Sequence, residues 1–302
     1  MPSRKSLSRR ERRRILGDYA FLAPQLVLYL GLSILPFFVA VPIVLTDRVS
    51  FVDVDVEYIG FANLTRLFTD TNLSSEFLPA LRRSLVFVAL NYVAVYVFGL
   101  TLALMMYETG FRGGFFTVIY LPMMVSGLAF GYLAVMLFAR STGTVNLLLM
   151  RLRWIKEPID IKRSSGVTIL LPLLVGWRYA GFNMAIFLAG LMTIPTETIE
   201  AATVDGASYW QKLLRVYFPQ MMPAFIIATT FCFIGSFSVF DELVALGALY
   251  GNKQAELLSI ALFKYGFLSK RLSQGMALAL ETGLPLSIVG ILLQRLQRRL
   301  QY

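Results

Sequence analysis

Apolar residues fall along this chain in about six runs of membrane-crossing length, separated by polar passages. The runs cover residues 19–45, 84–107, 115–138, 167–192, 224–246 and 274–293. About 20 apolar residues suffice to cross a hydrocarbon core as a helix, whose backbone groups are then satisfied internally. The pattern predicts an all-α integral membrane protein with about six transmembrane helices. Pro24, Pro36 and Pro42 predict a kinked first helix, while residues 47–77 and 143–165 read as polar loops and 108–114 as a short turn.

The longest polar passage of the second half, residues 195–223, separates the fourth and fifth runs. Good helix formers (Ile199, Glu200, Ala201, Ala202) predict one short helix over 198–204, and Gly206 stands where a helix end favours positive φ. Ser208 followed by Gln211 has the spacing of a capping box. A second helix is therefore predicted from about Tyr209 toward Tyr217, with Pro219 as its stop. Ala201, Ala202, Gly206 and Ala207 let another surface approach the backbone, and Glu200 and Asp205 place a carboxylate at each end of the first helix. Two readings stand side by side: a knob made to be gripped, or a loop that only caps the membrane domain.

Composition agrees with the membrane reading, because 57% of residues are hydrophobic and 15% are charged. The formal charge of +10 sits at the chain ends and in loops rather than along one helical face, which argues against nucleic acid as a partner. Seven of the first fourteen residues are basic (Arg4, Lys5, Arg9, Arg10, Arg12, Arg13, Arg14), so residues 1–18 read as a cytoplasmic tail preceding a membrane domain over 19–302. Six crossings return the C-terminal Arg295, Arg298 and Arg299 to the same side. The basic residues as a whole divide almost evenly between the two faces, and it is the N-terminal cluster that sets the orientation.

The chain has no histidine and one cysteine, Cys232, and it shows no metal-ligand cluster and no nucleophile elbow. It also lacks a G-x-x-x-x-G-K-S/T phosphate loop, so ATP hydrolysis is not expected of it. Chemistry is left to charged residues inside apolar runs: Arg178, Asp241, Glu242 and Glu281. Each costs ~2.5 to 3.5 kcal/mol to insert, and such groups face the bundle interior or a water-filled cavity. For Arg178 and Asp241, internal pairing and substrate contact remain equal alternatives. Glu281 reads as one half of an internal ion pair.

The run Glu200-Ala201-Ala202-x-x-Asp205-Gly206-Ala207, with Phe218-Pro219 and Pro223, closely resembles the EAA loop of permeases from binding-protein-dependent ATP-binding cassette importers. Fainter similarities to the sugar-type branch lie at 58–64, at Arg112, Leu121, Pro122 and Ser126, at Gly143 and Asn146, at 187–191 and at 237–241. The chain departs from that pattern at Leu64, at 249–252 and at Glu281. The resemblance implies a type I importer fold in the prokaryotic plasma membrane, with both termini cytoplasmic. It implies that Glu200, Ala201, Ala202, Asp205, Gly206, Ala207, Phe218 and Pro219 couple the chain to an ATPase.

The same resemblance implies a second homologous permease, two ATPases carrying ATP and Mg, and an extracellular or periplasmic solute-binding protein, with no cofactor in this chain. A sugar or oligosaccharide would pass residues such as Arg178, Tyr179, Asn183, Phe240 and Asp241. Aromatic rings stack on the apolar CH faces of a pyranose, although an aromatic at this depth also serves as an interfacial anchor. Basic residues at 151, 153, 156, 162 and 163 suit an acidic saccharide or carboxylates on a binding protein equally. The rival class is an ion- or proton-coupled secondary transporter using Asp241, Glu242 and Glu281. It has no need of the EAA loop, and neither has a membrane enzyme.

Overall fold

The computed structural model describes residues 9–110, 113–163, 166–269 and 271–300. Arg4 and Lys5 of the basic tail, Arg112 and Ser165 lie outside the described residues. Four helices are long and apolar enough to cross a membrane: Gly17–Val44, Thr71–Thr109, Met222–Ala245 and Leu272–Leu296. Two bent pairs, Gly113–Met124 with Gly127–Leu137 and Gly166–Arg178 with Ala180–Met192, bring the number to six if each pair is one crossing.

Several boundaries differ from the sequence pattern. The second crossing starts at Thr71 instead of residue 84, because the Asp70 carboxylate caps it by accepting from the Asn72 and Leu73 amides. At 39 residues it is about 58 Å long, roughly twice the hydrocarbon thickness, and so projects into water. The third crossing, expected as one helix, turns through 93° where Ser126 caps its second half by accepting from the Ala129 amide. The fourth bends by 57° at Tyr179. The passage 143–165 contains a short helix, Thr144–Arg151, held by buried Asn146, whose amide bonds the Ala139 and Ile159 carbonyls.

Pro24, Pro42, Pro79, Pro122 and Pro285 sit inside α-helices, and three other prolines follow sites of local widening. Wider, π-type turns at Leu30–Ile34, Gly166–Leu170 and Leu213–Tyr217 each end two residues before a proline, at Pro36, Pro172 and Pro219. Proline removes one amide donor and its ring crowds the carbonyl four residues back; opening the preceding turn relieves both and lets the helix run on. The helix begun at Tyr209 accordingly continues through Pro219 to Gln220, and the expected stop at Pro219 does not occur.

Glycines permit the closest helix crossings. A Cβ on Gly131 would stand 2.6 Å from the Ala245 Cβ, and one on Gly127 2.8 Å from the Asp241 Cβ, so the third crossing lies against Asp241–Ala245. Gly176 meets Ala94, and Gly275 meets the backbone of Gly266. Ala277 is fully buried near Gly275 but Ala279 is exposed, so the small-residue stripe of the last crossing packs only in part. One buried cluster gathers Phe87, Leu171, Leu243, Leu246 and Ile260; a second gathers Met184, Phe187, Leu191, Leu213, Tyr217 and Met221.

Gly131→Leu is expected to lower thermal stability of the purified protein by the equivalent of about 1 to 3 kcal/mol, the usual cost of overpacking. Gly290→Ala, where a Cβ meets no heavy atom within 4 Å, should leave the unfolding temperature unchanged or slightly raised. Both are read from thermal unfolding in one detergent.

Candidate functional site

The passage 195–223 folds as two helices joined by a fixed bend. Thr196–Val204 ends in a Schellman motif: Gly206 has φ +75°, its amide donates to the Thr203 carbonyl, and the Ala207 amide reaches back to Ala202 at 3.0 Å. Ser208 then closes the capping box, its amide donating to Gln211 Oε1 at 2.7 Å and its hydroxyl accepting from the Gln211 amide. Lys212 Nζ donates to Thr203 Oγ1 across the bend, tying the two helices. The bend is thus set by backbone geometry and three local side-chain bonds.

The knob is rooted on one side and bare on the other. Leu213, Tyr217 and Met221 are buried among Ala103, Met106 and Leu191. Tyr217 meets Tyr107 edge to face, and the Tyr209 hydroxyl lies near the Glu108 carboxylate at the end of the second crossing. Burial first, and the Glu108 carboxylate after it, push the Tyr209 hydroxyl above its ordinary pKa, so it remains a donor at neutral pH. On the bare side, Glu200, Ala201, Asp205 and Gly206 are exposed, with Ala202 and Ala207 partly so. Beside them Val204 is 87%, Trp210 68% and Leu214 58% exposed, an apolar patch on a hydrophilic loop. Phe218 is half-buried against Phe225, and Pro219 is exposed.

Arg178 stands at the end of Gly166–Arg178, only 6% exposed. Its Nη1 pairs with Glu242 Oε1, and its Nη2 donates to the Val125 carbonyl at 2.5 Å. The guanidinium also lies over the rings of Phe130 and Tyr179, at 5.4 and 5.0 Å from their centroids. Pairing is thus what the structure gives for Arg178, but the partner is Glu242. Asp241, the alternative named from sequence, is exposed in the first turn of Asp241–Ala245 and forms no ion pair among the described residues. Glu281 corrects the sequence reading as well: no ion pair involves it among the described residues, and its Oε2 is buried without a hydrogen-bond partner.

Next to Arg178 lies a cavity of about 290 Å³. Its walls include Asn91, Tyr179, Phe182, Asn183, Phe231, Cys232 and Ser236. Asn91 Nδ2 donates to Ser236 Oγ at 2.8 Å and Asn183 Nδ2 to the Tyr179 carbonyl at 2.9 Å, which orients both amides. The Oδ1 atoms of Asn91 and Asn183 have no partner. A buried amide oxygen left open is an acceptor awaiting a donor. The structure therefore brings Tyr179 and Asn183 together at a cavity, with Arg178 behind them, but not Phe240, which packs edge-on against Phe263, nor Asp241. Asn91 was missed; a lone amide inside the apolar run 84–107 was its signal.

Residues 95–301 match the family model described as "Binding-protein-dependent transport system inner membrane component". The chain is 25% identical over 277 residues to the probable starch degradation products transport system permease protein AmyD of Thermoanaerobacterium thermosulfurigenes, covering 91% of each. It is 30% identical over 230 residues to the arabinooligosaccharides transport system permease protein AraP of Halalkalibacterium halodurans, covering 74% of this chain and 69% of that one. It shares its fold with a chain from a bacterial ABC transporter involved in the import of the acidic polysaccharide alginate, at a TM-score of 0.78 and 22% identity over 95% of this chain and 96% of that one. The matched region contains the knob, Arg178, Glu242 and most of the cavity wall, and the protein belongs to the family of binding-protein-dependent transport system inner membrane components.

Proposed function

We propose that the chain is one permease subunit of an ATP-driven importer for a sugar or oligosaccharide. The names of its relatives, a starch degradation products permease and an arabinooligosaccharides permease among them, support that solute class. The observation that carries the coupling role is the knob: a rigid two-helix bend rooted in the membrane core, whose bare side presents small residues, two carboxylates and an apolar patch. A cytoplasmic ATPase with a complementary cleft would grip Glu200, Ala201, Ala202, Asp205, Gly206 and Ala207. That ATPase, present as a pair, would hold ATP and Mg; a second homologous permease would close the other half of the path.

In this reading the knob moves when the ATPases close, and Ala180–Met192 carries the motion to Tyr179 and the cavity beside it. There Asn91 and Asn183, whose Oδ1 atoms are buried without a partner, would turn to accept hydrogen bonds from sugar hydroxyls, while Tyr179 and Phe182 face the apolar side of a ring. The cavity is small enough for about one sugar unit at a time, so an oligosaccharide would thread. Both termini would be cytoplasmic, on the knob's side. The secondary-transporter reading loses support because Glu242 is committed to Arg178 and Asp241 is exposed.

Gly206→Asp forces a side chain into the positive-φ position at a cost of ~1 kcal/mol and enlarges the gripped surface. It is expected to reduce ATPase co-purification or solute uptake severalfold while leaving membrane insertion intact; Glu200→Ala should act the same way more mildly. Normal docking and uptake in Gly206→Asp would refute the coupling role. Asn183→Leu and Asn91→Leu should each raise the half-saturating solute concentration about tenfold, the worth of one buried hydrogen bond to a polar solute, with ATPase co-purification unchanged. An unchanged half-saturation in both would remove the cavity from the solute path.

A further inference from the structure

The end of the protein opposite the knob carries a second concave site. The chain leaves its first crossing at Val44 and begins its second at Thr71, whose far end touches the knob through Tyr107 and Glu108. Residues 46–70 therefore lie on the opposite face. There a pocket of about 370 Å³ is lined by Asp47, Arg48, Arg66, Asp70, Arg271 and Gln274, among others.

Its walls are fixed by backbone bonds. The Leu272 and Ser273 amides donate to the Val49 and Arg48 carbonyls, Ser273 Oγ donates to the Arg48 carbonyl at 2.8 Å, and buried Asn63 donates to the Val44 and Thr46 carbonyls. The start of the last crossing is thereby stapled to the loop after the first. One oxygen of each acidic group is engaged by main chain: Asp47 Oδ1 accepts from the Glu57 amide, Asp70 Oδ1 from the Asn72 and Leu73 amides, and neighbouring Asp53 Oδ2 from the Val49 and Ser50 amides.

The three guanidiniums are engaged differently. Arg66 bonds the Asn63 amide oxygen at 3.3 Å and Arg271 the Gln274 amide oxygen at 3.4 Å, both neutral partners. Among the described residues none of Arg48, Arg66 and Arg271 forms an ion pair within 4.0 Å. A guanidinium has five donors in a fork that matches a carboxylate, and most of these remain unspent. On the same segment Tyr58, Phe61 and Phe68 are exposed, Phe68 on the face of Ala62–Thr69 turned away from Asn63 and Arg66. Aromatic side chains with arginine are the composition of a protein interface centre.

We propose that the pocket of Arg48, Arg66 and Arg271 is a socket for an acidic side chain of the docked solute-binding protein. The proposal rests on the importer reading, in which that soluble partner must meet the permease on the face away from the ATPases. The concave, stapled shape favours a protruding side chain over a flat contact, and the unspent guanidinium donors favour a carboxylate.

The test uses the complete permease and ATPase assembly in nanodiscs and measures the affinity of the importer's own solute-binding protein at low and high salt. Arg66→Glu and Arg271→Glu should each weaken binding about tenfold or more, Arg66→Lys much less, and the salt dependence should flatten in the reversed variants. Arg140→Glu, a charge outside the pocket, should stay within about twofold. ATPase co-purification verifies that each variant assembles. Unchanged affinity in both reversed variants would overturn the proposal. So would a loss confined to nanodiscs of anionic lipid, which would assign the pocket to headgroups, or a loss confined to solute-loaded binding protein, which would assign it to the solute. Failure of the unaltered assembly to bind any solute-binding protein would overturn the importer reading, and the proposal with it.

Discussion

Broken helices inside a membrane leave carbonyls that water cannot satisfy, and the arrangement of this protein depends on how one side chain meets that demand. Arg178 reaches the Val125 carbonyl, freed where the third crossing turns, and the Glu242 carboxylate, next to the break in the fifth. It stands itself at the bend of the fourth crossing. From the bend of the fourth crossing one guanidinium thus ties the third to the fifth, its planar fork serving the Val125 carbonyl and the Glu242 carboxylate at once. Gly127 and Gly131 complete the arrangement by letting Asp241–Ala245 come close enough for the pair to form.

That junction adjoins the cavity lined by Tyr179 and Asn183. From Tyr179 the helix Ala180–Met192 leads directly into the knob, through a core of Met184, Phe187 and Leu191 packed on Tyr217 and Met221. The second crossing adds another strut, because Tyr107 packs edge to face on Tyr217 at one end while Asn91 lines the cavity further along. The knob and the cavity wall are therefore joined by packed helix and not by loop.

Local rules were legible in the sequence wherever their partners are local. The Gly206 bend and the Ser208 and Gln211 capping box depend on residues within a few positions, and both appear as expected. The number of crossings followed from apolar run length for the same reason. What depended on three-dimensional approach was not legible. Both carboxylates lie against Gly127 of the third crossing, and it is the buried Glu242 and not the exposed Asp241 that reaches Arg178, a difference that adjacent positions in the sequence do not show. Pro219 failed as a stop because a wider turn preceded it, and Glu281 forms no ion pair among the described residues although its place in an apolar run suggested one. The bend at residue 125 could not be placed, since Ser126 marks a cap only once the helix on either side is known to turn.

The central claim is that the Arg178 and Glu242 pair holds the broken crossings together, and a double-mutant cycle on thermal or denaturant unfolding of the purified protein tests it most directly. Arg178→Leu and Glu242→Leu should each destabilise by about 3 to 5 kcal/mol, because each strands a buried charge. The double variant should lose clearly less than the sum of the two, with Asp241→Leu near neutral in the same assay. Strict additivity of the two substitutions, or a loss in Asp241→Leu equal to that in Glu242→Leu, would contradict the account.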